Sequence, residues 1–354
     1  MSRSSRRAGT LAVMLVAFAA ALPASASADI KSMWGPNELP DGSSAFPVYK
    51  YLGVEMMQRQ VVWGQVADDK PTHPRDPNDP AYKWNPDVDR AVAAARRSGM
   101  RTALMIKDSP NWAKGGKPGS YAPDRDRDYT DFLIAVAKRY PRVRHWMIWG
   151  EPSRAYNWMP LPPASPVGPR RYATLLDRSY GTLKKLNRRN KVIGGMTFTT
   201  GEVMPTDWVR WMRLPNGKPP RLDWYGHNAF STRIPDLKQK PYFPNLRDFS
   251  DLDTLHRQVV RVYRKRKIRP KIWVSEFSVS SDHANRAFSF FVSRDEQAKW
   301  LRAAYRTAHR TRWIAGIGWY KLLDEPDPVD GITTGLLAAD GAAKPAYWAY
   351  RRAR

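Results

Sequence analysis

Cysteine is absent from the sequence, and acidic residues are scarce relative to basic ones. Without cysteine, the 354 residues cannot form disulfide bonds or thiolate metal sites. Stability must therefore come from a hydrophobic core, which a chain of this length can bury. The 33 Asp and Glu residues stand against 59 Lys and Arg residues, and the formal net charge is +26. A charge of this size raises the question of an anionic partner.

Long apolar runs are also missing, except near the N-terminus. Residues 11–22 are apolar, follow three arginines and precede small residues that end at Ala28. This arrangement is typical of an export signal, and the run is short for a membrane-spanning helix. We therefore predict a signal peptide over residues 1–28 and a protein that is secreted or associated with the cell envelope. Its removal takes away the three arginines and lowers the net charge from +26 to +23.

Several motifs that would indicate other chemistries are absent. The sequence contains neither GxGxxG nor GxxxxGK[ST], which disfavours a nucleotide-binding sheet, and it lacks the GxSxG of serine hydrolases. HExxH is absent as well, and the six histidines are scattered without metal-ligand spacing. We therefore expect no metal and no cofactor.

Short apolar runs alternate with amphipathic stretches through residues 29–354, and no linker divides them. The runs start roughly 30 to 50 residues apart, which is the spacing of strand–helix units in a parallel sheet. Between two of them, Asn85, Pro86 and Gly99 are suited to cap, begin and end a helix. Eight runs predict an α/β fold, a (β/α)8 TIM barrel in a single domain, with a doubly wound open sheet as the alternative. The predicted strands are residues 30–34, 56–62, 101–106, 145–149, 191–196, 222–227, 271–276 and 314–319.

Two of the predicted strands lead into a glutamate. Glu151 follows HWMIW at the end of the fourth strand, and Glu276 ends KIWVSE, the seventh. The active site of a (β/α)8 barrel lies at these carboxyl ends, and retaining glycoside hydrolysis requires two carboxyl groups there. We expect burial to raise the pKa of the proton donor, and a cation such as Arg59 to keep the nucleophile ionised. The spacing alone leaves open that both glutamates only form salt bridges at the barrel rim.

Five segments are similar to motifs of the clan-A glycoside hydrolases, of the kind found in families 5 and 39. RQVVW, SPNWA, IWGEPS and WVSEFS resemble segments at the second, third, fourth and seventh strands, and GLLAADGAAKPAYWAYR resembles the segment that closes the last helix. The resemblance covers residues 30–350. It implies a barrel that acts on a carbohydrate, with Glu151 as the acid/base and Glu276 as the nucleophile.

The sequence departs from the family pattern at two positions. Gly150 replaces an asparagine that hydrogen-bonds the sugar 2-hydroxyl in the family, a contact that contributes several kcal/mol. After His227, Phe230 stands where the family often has a tyrosine, for which Tyr225 is a candidate substitute. These departures leave open a weakly active or inactive sugar-binding barrel.

Other residues near the strand ends are candidate contacts to a sugar. Asn111 and Asn228, after the third and sixth strands, are placed to replace the missing asparagine, and tryptophan rings suit stacking on sugars. For the aromatic residues and His227, packing in the core is the alternative. The predicted substrate-binding residues are Arg59, Trp63, Asn111, Trp112, Trp158, Tyr225, His227, Asn228 and Trp319.

Basic residues are concentrated just before the predicted strands, as in RVYRKRKIRPK (261–271). These junctions lie on the bottom face of a barrel, opposite the two glutamates. Cations there can bind an anionic polymer of the cell envelope; the alternative is that they complement helix dipoles and keep the protein soluble. Because the charges lie away from the glutamates, we expect no nucleic-acid partner, and we expect a monomer.

Overall fold

Eight parallel strands close into a barrel in the structure, a computed structural model that describes residues 29–241 and 243–353. The strands are β1 (Ile30–Trp34), β2 (Met56–Val62), β3 (Arg101–Lys107), β4 (His145–Ile148), β5 (Lys191–Phe198), β6 (Trp224–Asn228), β7 (Lys271–Phe277) and β10 (Ile314–Tyr320). Each strand pairs with the next, and β10 closes the barrel against β1. The predicted TIM barrel and its strands are confirmed, and the open sheet is wrong. The predicted signal peptide lies outside the described residues.

Helices cover the outside of the barrel. In the described part of the chain, no helix is long and apolar enough to cross a membrane. A small separate ribbon follows β7 and consists of β8 (Ser280–Ser281) and β9 (Phe291–Val292). The α-helices are α1 (Phe46–Tyr51), α2 (Trp63–Val66), α3 (Pro86–Arg97), α4 (Asp126–Arg139), α5 (Val167–Leu186), α6 (Pro205–Trp211), α7 (Leu252–Tyr263), α8 (Arg294–Arg310) and α9 (Pro345–Arg352).

Local sequence explains the ends of helix α3. The side-chain oxygen of Asn85 accepts a hydrogen bond of 2.8 Å from the backbone N–H of Asp87, and Pro86 occupies the first helical position. Gly99, with a φ of 78°, follows the helix in the left-handed conformation that glycine adopts without strain. The predicted cap, start and end of this helix are confirmed.

Two apolar layers lie on the inner and outer faces of the barrel. Trp34, Met105, Met147 and Trp273 belong to the smaller inner layer, and a larger layer fills the space between strands and helices. Because a parallel barrel is buried on both faces, its strands are apolar throughout. Which of two adjacent side chains points inward therefore depends on strand alternation and on local irregularities.

Candidate active site

Glu151 lies beyond the end of β4, on a turn that is uncommon for residues with side chains. Trp149 and Glu151 have φ angles of 65° and 44°, in the left-handed region that costs about 1–3 kcal/mol for such residues. Nε1 of Trp149 donates a hydrogen bond of 2.6 Å to the carbonyl oxygen of Asn157, and its ring packs edge-on against Trp158. Packing of the buried tryptophans thus holds the turn that directs Glu151 toward the end of β6.

Glu276 reaches the same place through a β-bulge in β7. The register of β7 shifts against both neighbouring strands, which leaves Ser275 as an additional residue. With Trp273 facing inward, regular alternation would turn Glu276 to the outer layer. The bulge instead keeps Ser275 inside, where its hydroxyl donates to Oε1 of Gln58, and turns Glu276 to the mouth of the barrel.

Asn228 joins the two glutamates. Its Nδ2 donates a hydrogen bond of 2.8 Å to Oε1 of Glu151, and the same amide donates to the carboxyl group of Glu276. Asn228 ends β6 and is the register partner of Glu276. The two carboxyl groups therefore meet at one amide at the carboxyl end of the barrel.

Residues of the loop after β4 supply three further donors to Glu151. Nη1 of Arg154 and Nδ2 of Asn157 each lie 3.3 Å from Oε2 of Glu151, and the hydroxyl of Tyr156 lies 3.2 Å from it. The Arg154 guanidinium also lies 4.4 Å from the ring centre of Tyr156 and 4.3 Å from that of Phe198. The loop therefore holds a cation and two neutral donors against this carboxyl group.

The pKa of Glu276 is raised well above its ordinary value, chiefly by burial and then by the negative charge of Glu151. Lys107, Arg154 and the hydrogen bond from Asn228 lower this pKa without cancelling the increase. The protonated form of Glu276 is therefore favoured at pH values at which an ordinary carboxyl group is ionised. We expected burial to raise the pKa of the proton donor. In the structure, burial raises the pKa of Glu276, the predicted nucleophile.

Gly150 faces side chains of β3. A Cβ on this glycine would lie 2.7 Å from Sδ of Met105 and 3.8 Å from Cδ of Lys107. Side chains of β3 therefore fill the place into which an asparagine at this position would extend. Of the two candidate substitutes, Asn228 lies at the glutamate pair, whereas Asn111 is an exposed residue in a short 3-10 turn after β3.

Four of the predicted sugar contacts are fully buried, three of them in the outer apolar layer, where no sugar can reach them. For example, Nε2 of His227 lies 2.9 Å from the carbonyl oxygen of Arg247, and its Nδ1 lies 2.8 Å from the hydroxyl of Thr197. The prediction of substrate contact is wrong for these residues, and the core alternative holds. They are Trp63, Tyr225, His227 and Trp319.

Arg59 is also turned away from the glutamates. Its Nη2 donates a hydrogen bond of 2.9 Å to Oδ1 of Asn37, so it is not the expected cation beside the nucleophile. Lys107 and Arg154 are the cations that lower the pKa of Glu276. The prediction placed Arg59 on the wrong face of β2, because the preceding residue, Gln58, is the one that points into the barrel.

The two loop tryptophans differ in exposure. Trp158 is fully buried beneath Trp149, so its predicted stacking on a sugar is wrong. Trp112 is partly exposed, donates its Nε1 to the carbonyl oxygen of Ala67 at 2.8 Å, and packs edge-on against Trp63. Contact of Trp112 and Asn111 with substrate remains a prediction.

Sequence reasoning missed several residues at the pair. Tyr320 lies one position after Trp319, and its pKa is raised by burial and by the charges of Glu276, Glu325 and Glu151. The alternation of side chains along β10 could have identified Tyr320, but only once it is known which residues of the strand point inward. The others follow Glu151 in SRAYNW or end β3; the missed residues are Lys107, Arg154, Tyr156, Asn157 and Tyr320.

The arrangement can transfer protons and supply a carboxylate nucleophile. Two carboxyl groups at a common amide, one of which has a raised pKa, are the groups that such chemistry requires. Across residues 29–241 and 243–353, no group of three or more His, Asp or Glu side chains is placed to hold a metal ion.

Comparison with known proteins agrees with this architecture. No protein-family model and no curated protein matches the sequence. A family 39 glycoside hydrolase from Bacteroides cellulosilyticus WH2 matches 92% of this chain and 62% of its own, with 21% identity and a TM-score of 0.63. A glucosidase from Croceicoccus marinus matches 91% and 65%, with 14% identity and a TM-score of 0.65. The family 39 enzyme from Xanthomonas axonopodis pv. citri matches 91% and 65%, with 16% identity and a TM-score of 0.58.

The chain spans less than two thirds of the length of each of these structures. At such low identity, the likeness establishes the fold and not the activity. It agrees with the resemblance to family 39 at the level of architecture, whereas the resemblance to family 5 stays a prediction. The chain therefore has a TIM-barrel fold, and these solved structures of similar fold are glycoside hydrolases.

Proposed function

We propose that the protein hydrolyses a β-linked glycoside with retention of configuration, with Glu276 as the nucleophile and Glu151 as the acid/base. The observation that carries this proposal is the pair itself, two strand-end glutamates at one asparagine amide, one of which has a raised pKa. Such a pair supplies the proton and the nucleophile of a double displacement. The fold shared with a glucosidase and family 39 enzymes supports it.

In the proposed reaction, Glu276 attacks the anomeric carbon while Glu151 protonates the leaving oxygen. Glu151 then takes a proton from water, which attacks the covalent intermediate and releases the sugar. Attack requires an ionised Glu276, so the proton favoured there in the free protein must pass to Glu151 when substrate binds. The charges of Lys107 and Arg154 and the amide of Asn228 favour this ionised form.

The test uses a panel of aryl β-glycosides and polysaccharides, followed by azide rescue of two variants. We expect Glu151→Ala to be rescued by azide with formation of the β-glycosyl azide, because azide attacks the glycosyl-enzyme. We expect Glu276→Ala to give the α-glycosyl azide, because azide attacks the substrate directly. NMR spectroscopy of the first product released by the unaltered protein reports the anomeric configuration.

Each outcome of this experiment distinguishes a different reading. If Glu151→Ala gave the α-glycosyl azide and Glu276→Ala the β-glycosyl azide, the assigned roles of the two glutamates would be reversed. An inverted first product would exclude the double displacement. Saccharide binding without turnover of any substrate would favour the alternative, an inactive sugar-binding barrel, to which the loss of asparagine at Gly150 points.

We further propose that the protein is exported and that its bottom face binds an anionic polysaccharide of the cell envelope. Acidic residues on this face are already paired, Asp223 with Lys184 and Asp177 with Arg221. The remaining basic residues there carry excess charge. Exposed examples at or after the C-terminal ends of helices α5 and α7 are Lys185, Arg188, Arg189, Arg264, Lys265, Lys267 and Arg269.

Binding to alginate at rising salt concentration tests the bottom face, with neutral dextran as the control polymer. We expect Lys185→Gln with Lys265→Gln to weaken binding. The matched variant, Lys238→Gln with Lys240→Gln in the loop after β6, removes equal charge on the opposite face and should not. Equal losses in both variants, or stronger binding to duplex DNA than to alginate, would overturn this proposal. Fractionation of expressing cells tests export.

A further inference from the structure

A cavity of about 320 Å³ lies at the carboxyl ends of β5, β6 and β7. Residues at or after these strand ends form it together with the loop before β9. Four phenylalanine rings line it, and two of them, Phe230 and Phe288, lie 4.9 Å apart between ring centres. The other two are Phe198 and Phe290. The cavity is therefore a largely apolar space of the size that holds one or two rings.

Arg154 connects this cavity to Glu151. Its guanidinium lies 3.3 Å from Oε2 of Glu151 and 4.3 Å from the ring centre of Phe198, a wall of the cavity. The cavity is thus joined through Arg154 to Glu151, the proposed proton donor. Since the donor faces the leaving oxygen, a leaving group would extend toward the phenylalanines.

The buried polar side chains at the cavity are paired within the protein, with one exception, whereas Thr200, Thr232 and Ser289 lie at its more exposed rim. The carboxylate of Asp248 accepts hydrogen bonds from Ser231 and from the guanidinium of Arg233, which neutralises it. The hydroxyl of Thr199 donates to the carbonyl oxygen of Phe230. Ser278 is 1% exposed, and among the described residues its hydroxyl has no hydrogen-bond partner.

These features distinguish between two kinds of leaving group. A second sugar ring carries several hydroxyls, and each one buried without a partner costs about 1–3 kcal/mol. Among the buried side chains described at the cavity, only that of Ser278 has a hydroxyl without a partner, so the interior offers little to the hydroxyls of a second sugar. An aromatic ring with one polar substituent would stack on the phenylalanine rings and use that single partner.

We propose that this cavity is the leaving-group subsite and that it binds a neutral aromatic aglycone in preference to a sugar. The proposal rests on the proposed glycosidase function. Phe288 and Phe230 supply the rings against which the aglycone packs, and Ser278 supplies one hydrogen bond.

Binding of 2-naphthol to the intact protein, followed by saturation-transfer NMR and fluorescence, tests the cavity independently of catalysis. We expect Phe288→Ala to weaken binding about tenfold and Ser278→Ala to weaken it about threefold to tenfold. Phe291→Ala is the matched control, because Phe291 is 47% exposed and does not line the cavity. It should leave binding unchanged. Thermal unfolding of each variant verifies that it is folded.

Kinetics with a benzyl β-glycoside and a β-linked disaccharide of the same sugar test the subsite. We expect kcat/KM to be higher for the benzyl glycoside, and the ratio to fall about tenfold in Phe288→Ala but not in Phe291→Ala. Naphthol binding that is unaffected by Phe288→Ala would overturn the proposed aglycone subsite. Equal losses of kcat/KM on the two substrates in Phe288→Ala would overturn it as well. Naphthol binding that depends on Phe288 in a protein that hydrolyses no glycoside would instead overturn the proposed function.

Discussion

The thioether sulfur of Met105 lies 2.7 Å from the position that a Cβ on Gly150 would occupy. Met105 is 2% exposed and packs in the inner layer of the barrel, so its side chain cannot move into solvent. The Met105 side chain on β3 therefore fills the space that glycine, in place of asparagine, leaves before Glu151. Restoring the asparagine therefore requires the Met105 side chain to shift within the packed inner layer.

Gly150→Asn should lower the free energy of unfolding by about 1–3 kcal/mol through overpacking against Met105. Urea unfolding of Gly150→Asn, Met105→Ala and the double variant measures this effect as a double-mutant cycle. We expect the double variant to be more stable than the sum of the single effects predicts. Strict additivity would mean that Met105 does not exclude the asparagine. Activity of the double variant above that of Met105→Ala would indicate that the amide regains its contact with the sugar.

Asn228→Ala should lower kcat/KM on an active substrate by about 10- to 1000-fold, or about 1.4 to 4 kcal/mol. The substitution removes the donor that both glutamates share and raises the pKa of Glu276. Asn157→Ala is the matched control, because Asn157 donates to Glu151 at 3.3 Å. A smaller loss in Asn228→Ala than in Asn157→Ala would contradict the bridging role.

Arg154→Met should raise the pKa of Glu276, because it removes one of the two cations that lower it. The alkaline limb of the pH profile of kcat/KM, which reports the essential group with the raised pKa, should move to higher pH. Glu151→Gln removes a negative charge and should move the pKa of Glu276 downward, as ¹³C NMR of the carboxyl groups can measure. Arg257→Met, which breaks an ion pair on helix α7, is the control and should leave the profile in place.

Trp319 and Tyr320 should respond differently to substitution because they point to opposite faces of β10. Trp319→Phe should lower the melting temperature and leave KM unchanged, since this ring is fully buried and bonded to the carbonyl oxygen of Thr334. Tyr320→Phe should lower kcat/KM about tenfold with little change in melting temperature, since the hydroxyl lies near both glutamates. The opposite pattern would mean that the inner and outer faces of β10 are misassigned.

His227→Gln should make the protein less sensitive to acid. Burial lowers the pKa of His227 from 6.5 to about 4, so below pH 6.5 the unfolded chain takes up a proton that the folded protein does not. This difference costs the folded protein only about 0.2 kcal/mol at pH 7 and about 2–3 kcal/mol at pH 4.5. Between pH 7 and pH 4.5, the free energy of unfolding should therefore fall by about 2–3 kcal/mol more in the unaltered protein than in the variant. Denaturant titrations at pH 7 and at pH 4.5 measure this difference. An equal loss in the two proteins would contradict a buried, neutral His227.

Local patterns in the sequence were sufficient to predict the barrel and the order of its strands along the chain. Apolar runs between amphipathic stretches located all eight strands, and the cap at Asn85 located the start of helix α3. The same patterns put Glu151 and Glu276 at carboxyl ends of strands. These features could be predicted because strand length, helix caps and apolar periodicity depend on residues that are near one another in the chain.

The tertiary structure alone decided which side chains meet at the mouth of the barrel. Arg59 and Trp319 were expected there, but their chain neighbours Gln58 and Tyr320 point inward instead. Both faces of a parallel barrel strand are buried, so the apolar pattern does not mark the inner one. The extra residue at Ser275 depends on pairing with two strands distant in the chain, and only that pairing turns Glu276 toward Glu151.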